Sequence, residues 1–239
     1  MEGIALLPDS HTDFAMFRRL SAGVLLSLVP LSAAHAAQED EQIWLAQFST
    51  INLDKRVLLF AEAQMRLTDG ADRPSQFFLR PALGYQVTDA VSVYAGYAWV
   101  RVEPLNGAAV TEHRAFQQLS VRLVGGPGKV TVNSRTRLEQ RFIVGRPDMG
   151  WRLRSLVRVD VPLGKGFGAI VTTEPFANLD TTTWGQRAGF DQIRGFAGIG
   201  IPVARGIALE VGYAGQYTKR FAAPDRMNHI GSVSFNIRR

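Results

Sequence analysis

The sequence predicts an all-β protein: an up-and-down antiparallel transmembrane β-barrel of 10–12 strands, with a polar lumen rich in arginine and glutamate. Three observations lead to this fold class. Apolar and polar residues alternate along successive runs, short and long connections alternate between the runs, and a secretory leader precedes them.

The leader is a short apolar run that follows the basic pair Arg18 and Arg19. The run is too short to cross a membrane, and an A-x-A motif after it predicts cleavage between Ala36 and Ala37. These features are typical of a secretory signal peptide, so we expect the mature protein to be exported.

The cleavage site divides the chain into a signal peptide, residues 1–36, and a single outer-membrane β-barrel domain, residues 37–239. Met16 directly precedes the basic pair, so we interpret residues 1–15 as a mis-assigned start. The chain has no cysteine, which excludes disulfides and thiolate metal sites. No apolar run approaches the roughly eighteen residues of a transmembrane helix.

The alternation is clearest in the hairpin from Thr111 to Phe142. In its first run Glu112 and Arg114 fall on one parity, and Leu119 and Val121 fall on the other. A period of two indicates a strand with one polar and one apolar side. A Gly-Gly-Pro-Gly turn joins the two runs and predicts a hairpin.

Eleven alternating runs can be drawn along the mature chain, and their length suits a tilted membrane strand, which needs about ten residues. In chain order they are Gln42–Asn52, Arg56–Thr68, Gln76–Thr88, Val91–Glu103, Glu112–Val124, Val130–Ile143, Trp151–Leu163, Phe167–Asn178, Arg187–Val203, Ile207–Thr218 and Asn228–Arg238.

The connections alternate in length. Tight connections centre on Asp54, Asp89, Pro127, Lys165 and Arg205, and longer polar connections lie between them. Outer-membrane barrels have short periplasmic turns and longer external loops, so this rhythm predicts a meander of long hairpins. Because single-chain bacterial barrels have an even number of strands, we expect ten or twelve, with one run outside the wall, missed or merged.

Periodicity alone does not say which side of each strand faces the lumen. About eight strands give an interior that side chains can fill, whereas ten to twelve would leave an apolar void. We therefore expect the apolar side to face lipid. Trp99, Phe142, Trp151 and Tyr217 lie near the long-loop ends, where an aromatic girdle belongs. The alternative is a soluble periplasmic, lipocalin-like barrel with its apolar side inside.

The polar side of the runs supplies the predicted lumen charge network. Its members are Glu62, Arg66, Arg80, Glu112, Arg114, Arg122, Arg135, Arg137, Glu139, Arg141, Arg152, Arg154, Arg158, Glu174, Arg194 and Glu210. Arginine suits this setting because its planar fork holds carboxylates bidentately and stays charged. We expect either a structural barrel braced by salt bridges or a narrow pore in which Arg135, Arg137 and Arg141 favour anions.

The charge distribution excludes some partners. The net charge is +6, but the arginines are spread over many runs and form no basic helix, cluster or tail. We therefore expect no nucleic-acid partner. The expected partners are outer-membrane lipid and the barrel assembly machinery, although the last run ends Asn236-Ile237-Arg238-Arg239 without the usual terminal aromatic residue. The solute, if any, is not predicted.

An outer-membrane lipid hydrolase or deacylase is the enzymatic alternative. Such an enzyme needs a serine, a histidine and an orienting group on the lipid-facing wall. Only His113 and His229 remain after cleavage of the leader, and the spacing of His229 and Ser232 puts them on opposite sides of a strand. We therefore predict no catalytic residues, no metal site and no cofactor.

Several segments together resemble a known family. They are Trp44, the motifs E-H-R and Q-Q within residues Glu112–Gln118, and the segments Ser134–Phe142, Thr173–Phe176, Phe190–Arg194, Leu209–Tyr213 and Asn228-His229. In this order they resemble the domain of unknown function 2490, whose members look like outer-membrane barrels of Gram-negative bacteria. The family has no established activity, so the resemblance implies a fold and a location and no chemistry.

Overall fold

The computed structural model describes residues 37–126 and 128–239. The leader, the interpretation of Met16 as the start and residue Ala36 lie outside the described residues, as does Pro127 at the centre of one tight connection. Within the described ranges no helix is long and apolar enough to cross a membrane.

The described chain forms a closed barrel of eleven strands. The strands are β1 Gln38–Asn52, β2 Val57–Thr68, β3 Arg73–Thr88, β4 Val91–Val102, β5 Val110–Val124, β6 Thr131–Ile143, β7 Met149–Gly164, β8 Phe167–Asn178, β9 Gly189–Ala204, β10 Ile207–Thr218 and β11 Arg226–Arg238. The all-β barrel prediction is confirmed, and each predicted run corresponds to one strand. The largest differences at strand starts are at β1 and β3, which begin four and three residues earlier than the predicted runs.

The prediction of an even number of strands is wrong. Each strand pairs antiparallel with the next, and β1 closes the barrel by pairing parallel with β11, from Gln38 opposite Arg226 to Thr50 opposite Arg238. With an odd number of up-and-down strands, the first and last strands run in the same direction. The barrel is therefore antiparallel except at this one seam, and closure leaves no exposed strand edge.

The two ends of the barrel differ in their connections. The turn side carries the β1–β2, β3–β4, β5–β6, β7–β8 and β9–β10 connections of two to six residues, together with the end of β11. The loop side carries connections of four to ten residues and the start of β1. The lengths overlap, so the predicted difference between tight and long connections holds as a trend.

The wall has its apolar side outward. Leu83 on β3 and Val171 on β8 are 60% and 57% exposed, and Val57 at the start of β2 is also exposed, whereas Arg137 on β6 has 0% of its surface exposed. Buried arginine and glutamate side chains line the interior. The lipocalin-like alternative required the opposite orientation and is wrong on this point.

Two inward glycines make room for aromatic rings in the lumen. A Cβ atom on Gly96 would lie 2.6 Å from the ring of Phe116, and one on Gly84 would lie 2.3 Å from the ring of Tyr94. Both distances are too short for any side chain larger than hydrogen. The glycines thus let the rings pack against the neighbouring strand. The Phe116 ring in turn contacts the guanidinium group of Arg137.

The parallel seam can be tested by cross-linking, because the chain has no native cysteine. Leu45 lies opposite Val233 across the seam and opposite Met65 in the antiparallel β1–β2 pair. Leu45→Cys/Val233→Cys should form a disulfide on mild oxidation, since neighbouring strands are within the Cα separation that disulfides need. Non-reducing gels and peptide mass spectrometry would detect it.

The pair Leu45→Cys/Met65→Cys serves as the positive control, and Leu45→Cys/Val171→Cys, on strands that are not neighbours, as the negative one. Cross-linking in the positive control without cross-linking between positions 45 and 233 would contradict the eleven-strand closure.

Candidate functional site

The candidate site is a charge layer that fills the loop-side half of the lumen. Its members are all buried and all point into the lumen. Those on one strand lie two residues apart, and such residues point to the same side of the strand. We define the charge layer as Glu62, Arg80, Glu112, Arg114, Arg137, Glu139, Arg152, Arg154 and Glu174, all of which are buried.

Glu139 lies at the centre of the charge layer. Its carboxylate accepts hydrogen bonds from Nε and Nη2 of Arg152, at 3.0 and 2.6 Å, and lies 3.5 Å from Nη1 of Arg154. The guanidinium groups of Arg80, Arg137 and Arg114 are 3.9, 3.9 and 4.0 Å away. One carboxylate is therefore shared among five arginines that come from four different strands.

Two further carboxylates join arginines of neighbouring strands. Glu112 accepts two hydrogen bonds of 2.7 Å from Arg114 and two, of 2.6 and 3.2 Å, from Arg141. Glu62 pairs with Arg80, which also approaches Glu139. Bidentate pairs of this kind are among the stronger hydrogen bonds in proteins. They tie strands β2, β3, β5 and β6 together across the lumen.

Glu174 on β8 forms the turn-side edge of the layer. It accepts hydrogen bonds of 2.9 and 2.8 Å from Arg154 and one of 2.9 Å from Arg135. Arg194 approaches it to 3.7 Å. Because Arg154 also contacts Glu139, it links the two carboxylates.

Aromatic rings accommodate the arginines that lack a close carboxylate. Arg137 donates to Gln118 Oε1 at 3.0 and 2.5 Å and lies 4.5 Å from the centre of the Phe116 ring. Arg66 lies 3.7 Å from the ring of Trp44 and also approaches Phe78. A guanidinium over an aromatic face is stabilised by the charge distribution of the ring, and more strongly when water is excluded.

The aromatic residues of the lumen were not predicted. Phe78, Phe116 and Phe176 are buried inside the barrel. The signal for Phe116 was present in the sequence, since it lies on the same parity as Glu112 and Arg114. Gln118, a hydrogen-bond acceptor for Arg137, lies on the same parity but was not among the predicted lumen residues.

Three of the predicted lumen charges, Arg122, Arg158 and Glu210, lie apart from the layer, nearer the turn side. Arg158 donates to both Asp160 and Glu210, at distances between 2.6 and 3.0 Å, and forms a separate cluster with them. Arg122 is exposed, and its guanidinium donates to the backbone oxygen of Asp89 at 2.8 Å. Arg122 lies where its strand has reached the turn-side mouth of the lumen, away from the charge layer.

The β8–β9 loop adds side chains to the charge layer from the loop side. Gln186 is buried, accepts a hydrogen bond of 3.1 Å from Arg141 and donates to Asp180 Oδ1 at 2.5 Å. The Trp184 ring lies 5.1 Å from the Arg141 guanidinium. Alternation along strands cannot predict such contacts, because they come from a loop.

Asp148, in the β6–β7 loop, holds the β8–β9 loop in place. Its carboxylate accepts hydrogen bonds of 2.6 Å from both the backbone nitrogen and the hydroxyl of Thr183. The side-chain hydrogen bond and then the backbone one keep the pKa of this exposed carboxyl below its usual value. The contact is therefore present at neutral pH and is lost only as the pH falls through that lowered pKa.

The predicted girdle residues lie on the outward parity near the loop side. Trp99 and Phe142 both lie opposite His113 on the strands that flank it. Tyr217 donates a hydrogen bond to Asp225, and its ring stacks on Phe190 with 6.3 Å between ring centres. Trp151 pairs with Gln140.

Within the described part of the chain, His113 and His229 form no catalytic arrangement with a serine. His113 is hydrogen-bonded to the Tyr97 hydroxyl, and His229 Nδ1 lies 2.7 Å from the Tyr213 hydroxyl. Tyr97 and Tyr213 are exposed on the outer wall, whereas Ser232 lines the lumen. The described residues also contain no group of histidine, aspartate and glutamate side chains that could hold a metal ion.

A cavity of about 1080 Å³ fills the turn-side half of the lumen. Arg80, Arg135, Arg154, Glu174 and Arg194 form its floor, and it extends to residues of the turn-side connections. Arg137 and Glu139, each with 0% exposed surface, lie outside it. The lumen thus has a filled loop-side half and an open turn-side half.

Comparison with known proteins identifies the family. Residues 41–228 match the family described as protein of unknown function, DUF2490. The chain belongs to this family. It is 35% identical over 226 residues to an uncharacterized protein of Methylorubrum extorquens, a match that covers 92% of this chain and 97% of the relative. No solved structure matches.

Membership in DUF2490 supplies no activity, so the chemistry of this DUF2490 barrel must be inferred from its own residues.

Replacing Glu139 by glutamine should lower the free energy of unfolding of the barrel by about 3–5 kcal/mol, because several buried guanidinium groups lose their shared counter-ion. Urea titration of the detergent-solubilised barrel, followed by tryptophan fluorescence and gel mobility, would measure the change.

Glu103→Gln is the matched control. Glu103 pairs with Arg101 at 2.5 Å, but both side chains are more than a third exposed, and surface pairs contribute about 0–1 kcal/mol. Equal effects of the two substitutions would mean that the charge layer does not stabilise the barrel.

Proposed function

We propose that this protein is an outer-membrane β-barrel whose lumen is closed by the charge layer, so that it acts as a structural barrel and not as an open pore. The observation that carries the proposal is the orientation of the wall, with apolar residues outward and arginine and glutamate residues enclosed. An apolar side of this extent needs a partner, and large exposed apolar surfaces mark membrane or protein contacts.

The outer surface supports lipid as that partner. Exposed leucine, valine, isoleucine and phenylalanine residues occur on outward positions of strands around the whole wall. The outward glutamines Gln117 and Gln140 bond each other, at 3.3 and 2.9 Å, and outward Thr136 bonds Ser155 at 3.1 Å. Polar groups that satisfy one another in this way are compatible with a lipid surrounding.

The ends of the barrel and the leader support an outer-membrane orientation. The strands contain 12 to 16 residues, which suffices for a tilted membrane strand of about ten. By analogy with outer-membrane barrels, the turn side would face the periplasm and the loop side the exterior. The predicted signal peptide would deliver the chain to the periplasm, where the barrel assembly machinery would be its partner.

The filled layer favours a structural barrel over the anion-favouring pore. The predicted selective ring of Arg135, Arg137 and Arg141 surrounds no opening, because Arg137 has no exposed surface and Arg141 is bonded to Glu112 and Gln186. The hydrolase alternative gains no support, since both histidines are bonded to tyrosines on the outer wall.

The location can be tested by fractionation together with a substitution on the outer wall. The wild-type barrel should partition to the outer membrane and migrate faster on gels when it is not boiled. Leu83→Arg should destabilise the membrane-embedded barrel by about 2–4 kcal/mol, because a charge on the lipid-facing side near the bilayer middle is costly. The measurements are the folded, fast-migrating fraction and its urea midpoint in lipid vesicles.

Asp89→Arg, in the connection after the same strand, controls for added charge and should leave the folded fraction unchanged. Recovery of a folded wild-type protein in the soluble periplasmic fraction would contradict the proposed location.

A further inference from the structure

The turn-side cavity has the size of a ligand site. Its volume of about 1080 Å³ lies just above the roughly 300–1,000 Å³ that small-molecule sites occupy. It is bounded on the loop side by the charge layer and reaches the turn-side mouth. A solute could thus enter from one end without crossing the filled half.

The floor of the cavity has more positive than negative charge. Arg135, Arg154 and Arg194 share the single carboxylate of Glu174. The Arg135 and Arg194 side chains are 25% and 17% exposed, whereas that of Glu174 is only 3% exposed. Nε of Arg135 is buried and has no protein hydrogen-bond partner, and Arg194 donates to Gln216 Oε1 at 3.1 and 2.9 Å. Because the two guanidinium groups are more exposed than Glu174, the floor presents donors that suit a carboxylate or phosphate.

The neighbouring charges do not cancel this surplus. Arg80 and Glu62 pair with each other at the edge of the floor. Nearer the mouth, Arg158 pairs with both Asp160 and Glu210, so this cluster has one more carboxylate than guanidinium and offsets only part of the surplus. The positive charge that lacks a full partner is thus concentrated at Arg135 and Arg194.

Part of the cavity wall is apolar. Phe48, Phe60, Ile170 and Phe196 line it, on strands β1, β2, β8 and β9, whereas β10 and β11 between them add Glu210, Ser232, Ser234 and Asn236. The ring of Phe196 lies over inward glycines on β9 and β10, where a Cβ atom would approach it to between 2.5 and 2.8 Å. The small residues keep the cavity wide, and the rings offer a hydrocarbon surface that starts next to the arginine floor.

The mouth of the cavity is basic. Arg122, Lys129 and Arg238 line it. An excess of one sign of charge at an opening raises the local concentration of oppositely charged solutes and speeds their entry.

We propose that the cavity binds a single-chain anionic amphiphile. Its carboxylate or phosphate head would contact Arg135 and Arg194, and its hydrocarbon chain would lie along the wall formed by Phe48, Phe60 and Phe196. The basic mouth would attract the anionic head, and the surplus of guanidinium groups on the floor would bind it. The apolar part of the wall would contact the hydrocarbon chain. This binding site concerns the lumen alone and does not depend on the location of the barrel.

Native mass spectrometry of the full-length mature barrel in a non-ionic detergent tests the proposal. The probes are palmitate, dodecyl phosphate, the uncharged hexadecanol, and inorganic phosphate as a head group without a chain. One palmitate should be retained per barrel, at least roughly tenfold more tightly than hexadecanol, since charge-assisted hydrogen bonds favour the anion. The palmitate and dodecyl phosphate arms distinguish a carboxylate from a phosphate head.

The Arg135→Gln/Arg194→Gln variant should lose roughly tenfold in palmitate affinity and none in hexadecanol affinity. Glu174 keeps its bidentate partner Arg154 in this variant, so the charge layer stays paired. Arg146→Gln, in a loop-side connection, is the control and should bind palmitate as the wild type does.

Ala208→Trp narrows the cavity without altering any charge and should abolish palmitate binding in a barrel whose gel mobility shows that it is folded. Equal affinity for palmitate and hexadecanol, unchanged palmitate affinity in the double glutamine variant or in Ala208→Trp, or inorganic phosphate binding as tightly as dodecyl phosphate would each overturn the proposal.

Discussion

Glu139 lies among five guanidinium groups with no exposed surface, and a buried charge is stable there only because opposite charges surround it. The same requirement acts on every inward arginine, since arginine does not shed its proton. It explains why Glu62, Glu112 and Glu174 each contact arginines and why the remaining guanidinium groups rest on rings or amide oxygens. Closure of the strands into a barrel is what brings these partners together.

The two halves of the lumen differ because the strands place different residues inward in each half. On the loop side the inward residues are long and charged, and aromatic rings and Gln186 fill the gaps between them. On the turn side the inward residues of β9 and β10 are mostly small, among them Gly198, Gly200 and Gly212, which leaves a cavity. One architecture thus combines a rigid, filled section with a space that opens at one end.

Alternation along the sequence was enough to predict the strands, because each strand separates two different surroundings. Which side faces outward followed from the number of runs, since a wider barrel would enclose an apolar void. Alternation could not predict the number of strands that close the wall, since the even-number rule comes from other barrels and the β1–β11 seam breaks it. Nor could it predict partners across the lumen. Arg80 on β3 reaches Glu139 on β6, a contact that depends on register and strand tilt, which a period of two does not encode. Gln186 was missed because it lies in a loop. Parity does not give depth in the barrel, so it does not separate Arg122 at the turn-side mouth from the buried arginines.

In the proposed barrel, the apolar side of the wall lies in lipid and the charged side is enclosed. The accessibility of single spin labels in reconstituted vesicles tests this orientation directly, with labels attached to cysteines at Leu83 on the outer side and at Ser120 on the cavity side. The label at position 83 should collide with oxygen and not with a water-soluble nickel chelate, and the label at position 120 should show the opposite preference. A label at position 83 that is open to the nickel chelate would contradict this orientation.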